Sequence, residues 1–95
     1  MFIVLLKFSD NKARASELMP GHMAWLQRGF DEDVFLLSGS PPPGRGGAIL
    51  AHNTVLPELQ SRVDRDPFVA EKVVNAEIIE IAAAKADPRL QFLLG

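Results

Sequence analysis

The stretch FIVLLKF, residues 2–8, constrains the fold more than any other part of the chain. It is rich in β-branched and aromatic residues and is bounded by the turn-prone Ser9-Asp10-Asn11, so it reads as a strand. Alternation along a strand places Phe2, Val4, Leu6 and Phe8 on one face and Ile3 and Leu5 on the other. Both faces are therefore largely apolar, and both need cover. A second run, VFLLSGS at 34–40, has the same character at Val34, Phe35, Leu36 and Leu37.

The elements around these strands follow from periodicity and punctuation. Residues 13–32 read as helical, with the main helix starting near Pro20, because proline fits a first helical turn where its missing N–H is not used. Met19, Met23, Leu26 and Phe30 recur at helical spacing and are expected to form the buried stripe. His22 then lies roughly 60° round from the centre of that stripe, at the border of the core. Trp25 is expected to be partly buried. A third strand is expected over 46–52, after a hairpin loop whose prolines cannot donate to a ladder. Asn53 or Thr54 is placed to cap a second helix, with Leu56, Leu59 and Val63 facing inward. DRDPF gives a break and a short helical turn, and VVNAEIIEIA at 73–82 a fourth strand. The tail from Lys85 ends in LQFLLG, whose Leu90, Phe92, Leu93 and Leu94 need burial on this subunit or on a partner.

The order β-α-β-β-α-β is the ferredoxin-like arrangement, an α+β fold with one four-stranded antiparallel sheet and two helices on one face. Ninety-five residues suit one domain, 1–95, and are too few for two cores. Two helices cover one face of the sheet. The other would expose an apolar patch of roughly several hundred Å², more than a soluble monomer usually shows. Packing two such sheets face to face about a two-fold axis removes it, so a homodimer is expected.

Composition narrows the function. A formal charge of −2 with no basic face argues against nucleic acid. Cysteine is absent, which excludes disulfide and thiolate chemistry. The apolar opening is interrupted by Lys7 and is too short for a signal-peptide core or a membrane span, so a soluble cytoplasmic protein without a membrane partner is expected. Two histidines without metal-ligand spacing, His22 and His52, predict no metal site. The glycines of GRGG lack the lysine and hydroxyl of a phosphate loop.

Two side chains remain as candidates for chemistry. His22 reads either as a border histidine satisfied by a backbone carbonyl or as a general acid–base, which requires a second group to fix its tautomer. Asp66 is the best candidate for that group. It also reads simply as a helix N-cap before Pro67, and Asp87-Pro88 repeats the dipeptide in the tail. Spacing alone does not choose between these readings.

The run LMPGHMAWLQRGF, the strand FLLSGS, the segment RGGAILA, the DPFV segment and NAEIIEI, in this order, resemble the YCII-related (YciI-like) family over nearly the whole chain. The resemblance implies a dimeric α+β barrel of ferredoxin-like subunits and a histidine–aspartate pair as the active site, here His22 and Asp66. It matches Ser38 and Gly39 to small residues ending the second strand, and Arg45 to a basic residue before the paired glycines. Arg45 is suited to hold a carboxylate or phenolate through its planar fork. The expected function is that of a small cofactor-independent enzyme. Its His22–Asp66 pair would move protons in an elimination, isomerisation or lactone-type reaction on a small organic, anionic substrate. The alternatives are a non-catalytic module binding such a molecule, and a dimeric interaction domain in which Asp66 is only a cap.

Overall fold

The strand that is apolar on both faces becomes a central strand. A computed structural model describes residues 1–42, 44 and 46–94. In it the chain forms β1 (Phe2–Phe8), α1 (Ala15–Asp31), β2 (Phe35–Gly39), β3 (Gly47–Ala51), α2 (Leu56–Asp64), α3 (Pro67–Ala70) and β4 (Val74–Glu80). Short 3-10 turns stand at Lys12–Arg14 and Pro88–Leu93. The strands pair antiparallel in the order β2-β3-β1-β4, so the expected α+β, ferredoxin-like sheet is present.

The two faces of the sheet differ as the alternation of β1 requires. Phe2, Val4 and Leu6 are buried, and together with Ile49, Ala51 and Val74 they meet Trp25, Leu59, Val63 and Phe68 of the helices in one core. On the opposite face Leu37, Leu50, Ile3 and Ile79 are register neighbours, forming one apolar row across all four strands. Leu37 is 63% exposed and Ile79 39%. That row includes Leu37 because β2 is irregular: Phe35 opposes Ala51, yet Leu37 already opposes Leu50. One extra residue at 36 shifts the phase, turning Leu37 outward and Ser38, opposite the buried Ile49, inward.

Helix α1 departs from the sequence-based expectation in two ways. It does not start at Pro20 but runs unbroken from Ala15, with Pro20 inside it. Proline there removes the bond to the Ser16 carbonyl; both residues are exposed one turn from the helix start, where water can take that bond. The buried side is also different. Met19 and Met23 are 43% and 51% exposed, while Trp25, expected to be partly buried, is 2% exposed. The inward stripe is Leu18, His22, Trp25 and Gly29, spaced by four, three and four residues. Gly29 is required there, because a Cβ at that position would meet the Phe35 ring at 2.0 Å. His22 therefore stands within the buried stripe and not at its border.

The start of α2 is a further correction. Its N-cap is Val55, with no side-chain capping bond. Asn53 instead adopts a left-handed backbone (φ +60°) and donates from Nδ2 to the Asp33 carbonyl at 3.4 Å. Leu59 and Val63 are fully buried as expected, but Leu56, at the exposed first position, is 43% exposed. Arg14, before α1, bonds Glu17 at 3.0 Å and Glu71, at the end of α3, at 2.8 Å, linking the two helices across the surface. Among the described residues no helix is long and apolar enough to cross a membrane.

Candidate active site

The site is made where α1 passes the start of α3. Gly21, one residue before His22, allows the approach: a Cβ on it would stand 3.2 Å from Cγ of Pro67, one residue after Asp66. The proline–glycine pair of α1 and the Asp-Pro start of α3 thus pack on each other, and the residues beside them are brought together.

Asp66 caps α3 as its sequence predicts, accepting from the Phe68 N–H at 3.0 Å. The same oxygen, Oδ1, also lies 2.9 Å from Nδ1 of His22. Asp66 is fully buried, and the His22 side chain is 13% exposed. Oδ2 of Asp66 is buried with no hydrogen-bond partner among the described residues. A buried carboxyl group with one side-chain partner among the described residues makes that contact costly to break. Aromatic rings pack the imidazole. Phe68 lies parallel to it, 4° between planes and 4.1 Å between centroids, and Trp25 is 5.8 Å away. Trp25 is itself held by donation from Nε1 to the Arg62 carbonyl at 2.9 Å.

His22 lines a cavity of about 380 Å³ between α1 and the inner face of the sheet. Asp66 does not line it and stands behind the imidazole. The walls are Met19, Met23 and Leu26 of α1, Leu6, Phe8 and Ile49 of the sheet, and Phe68 of α3. The polar side chains among the described lining residues are those of His22, Ser38 and Ser40. Of the residues singled out from sequence, the structure brings His22, Asp66, Ser38 and Gly39 to this one region. Arg45 lies outside the described residues. Sequence reading did not single out Phe68 or Ser40 and took Met19 and Met23 for core. An aromatic residue two positions after a capping aspartate was the available signal for Phe68. His52, at the far end of β3, packs against Phe92 of the tail at 5.6 Å and takes no part in the cavity. No group of three or more potential metal ligands occurs among the described residues.

The profile of the YCII-related domain matches residues 1–88. The chain belongs to the YCII-related domain family. No curated protein matches this YCII-related chain in sequence. Among solved structures it is similar to 5-chloro-2-hydroxyhydroquinone dehydrochlorinase from Burkholderia phenoliruptrix AC1100, in complex with 2,5-dihydroxybenzoquinone. The match has a TM-score of 0.67 at 14% sequence identity and covers 85% of this chain and 93% of that one. At that identity the likeness establishes the shared fold. The YCII-related segment ends at residue 88, so most of the Pro88–Leu93 turn lies beyond it.

Proposed function

We propose that this YCII-related protein is a small acid–base enzyme in which His22 exchanges a proton with a substrate held in the cavity and Asp66 supports the ring from behind. The observation that carries the reading is the 2.9 Å contact between His22 Nδ1 and the buried Asp66, with the imidazole on the cavity wall. Asp66 accepts from Nδ1–H, which leaves Nε2 as the free base. When Nε2 takes a proton, the carboxylate stabilises the charge the ring gains, and the proton is then returned to substrate or leaving group. A positioned acid–base group of this kind contributes on the order of 10²–10⁴-fold in rate. The substrate class that fits is a small molecule with an apolar body and a hydroxyl or carbonyl for Ser38; Arg45 would serve an anionic group. Elimination, isomerisation and lactone-type reactions each include such a proton transfer. The similar solved structure is a dehydrochlorinase, an enzyme of elimination, which supports the reading without naming this chain's substrate.

A thermal-shift screen of small phenolic, lactone and carboxylate compounds on wild type and His22→Ala tests this. A ligand at 100 times its dissociation constant stabilises the fold by about 2.7 kcal/mol. The expected outcome is a compound that wild type binds and converts, and that His22→Ala binds without converting. Binding with unaltered compound recovered from wild type would replace the enzyme by a binding module.

We also propose that a second copy of the chain covers the outer sheet face, on the strength of the Leu37–Leu50–Ile3–Ile79 row. Light scattering at micromolar concentration should give a dimer mass for wild type and a monomer mass for Ile3→Asp. A monomeric wild type would remove the dimer.

A further inference from the structure

The geometry points to Phe68 as a positioning residue for His22, acting through ring and backbone together; this rests on the acid–base reading above and assigns a further part of the same site. Three observations meet at this residue. Its backbone N–H donates to Asp66 Oδ1 at 3.0 Å, the same oxygen that faces His22 Nδ1 at 2.9 Å. Its side chain lies flat against the imidazole, 4.1 Å between centroids and 4° between planes. Its ring also lines the cavity, beside His22.

The consequence is mechanical. The Cβ–Cγ bond and a hydrogen bond at Nδ1 tether an imidazole at two points but still leave its plane a residual pivot through χ1 and χ2. A flat aromatic surface against one face removes that pivot, because any tilt drives ring atoms into the neighbouring ring. Asp66 sets which nitrogen is protonated, and Phe68 sets the plane in which the other nitrogen meets the cavity. The backbone bond keeps the two settings in step, since the residue that carries the flat surface also holds the carboxylate oxygen. Trp25, at 5.8 Å and 29°, is too distant and too tilted to do the same.

The test needs no substrate, because the order of the His22 ring and its tautomer are both visible in the folded protein. With two histidines in the chain, ¹⁵N-histidine labelling gives two sets of ring signals, and His52→Ala assigns them. In wild type the His22 nitrogens should resonate far apart in the neutral ring, as one tautomer with Nδ1 protonated. Phe68→Leu keeps the backbone donor and removes the flat face. It should leave the two nitrogen signals far apart, because Asp66 still accepts from Nδ1–H, and lower the ring's order parameter while the backbone of residue 22 stays ordered. Phe68→Tyr should restore the order. Phe2→Leu, which loosens the core at the opposite end of β1 from the cavity-lining Leu6 and Phe8, should leave the ring ordered. If Phe68→Leu does not fold, Phe68→Met is read in the same way. An ordered ring in Phe68→Leu or Phe68→Met would overturn the assignment, and so would an equal loss of ring order in Phe2→Leu. Averaged nitrogens in wild type itself would instead sink the underlying His22–Asp66 reading.

Discussion

The molecule contains the same dipeptide twice, in two settings. Asp66-Pro67 opens α3 and Asp87-Pro88 opens the 3-10 turn of the tail, and each aspartate accepts from the backbone N–H two residues on, at 3.0 Å and 2.9 Å. Local chemistry is identical to this point. The second partner differs. Asp66 takes His22 from another helix and is fully buried, whereas Asp87 takes Arg89 of its own turn and is half exposed. A capping motif specifies a turn; only the packing around it turns a cap into half of a proton-transfer pair.

The comparison is open to breakage in measurable ways. The largest effect is expected for Asp66→Ala, which removes a cap and leaves a buried imidazole nitrogen unpaired; about 2–4 kcal/mol should be lost in urea denaturation. Asp66→Asn keeps Oδ1 as acceptor and removes only the charge. It should cost less, about 1–2 kcal/mol, and should still slow any turnover by His22. Asp87→Ala should leave the global urea midpoint unmoved and change only the spectrum of Leu90–Leu94. An equal loss from the two alanine variants would mean that burial adds nothing to the cap. The smallest effect concerns pH. Bonds from Arg89, first from its side chain and then from its backbone, hold Asp87 below its ordinary value of 3.8. A depressed carboxylate stabilises above its unfolded pKa, and that contribution is lost as pH falls through the folded value. The Arg89 amide signal, whose N–H bonds Asp87, should therefore be constant from neutral pH down to about 5 and move only below the ordinary carboxylate range, with the change weakened by salt.

Much of this architecture was legible in the residues. The two-faced β1, the sequence of elements along the chain and the short turn at DPF are local patterns, and local patterns set them. What was not legible depended on distance or phase. Pro20 reads as a helix start, yet a helix tolerates it where the lost bond is near an exposed end. Met19 and Met23 obey a helical period as well as Leu18 and Trp25 do, and only the rest of the fold decides which stripe faces the sheet. The meeting of His22 with Asp66 came from family resemblance; nothing across their separation of 44 residues encodes it. Phe68 was not singled out as a site residue because its part depends on a parallel contact between segments far apart in the chain, of which its place after the capping aspartate is only an indirect signal.

The irregular step in β2 has an effect on sequence tolerance. Counted straight from Phe35, Leu37 would share the side of Phe35 and Ser38 the opposite one; the supernumerary residue reverses both. Deleting Leu36 would therefore restore a regular ladder without exchanging their sides. Inserting one residue between Leu37 and Ser38 would send the hydroxyl away from the hollow. Indel scanning of 35–39 should find that strand forgiving of loss and intolerant of gain.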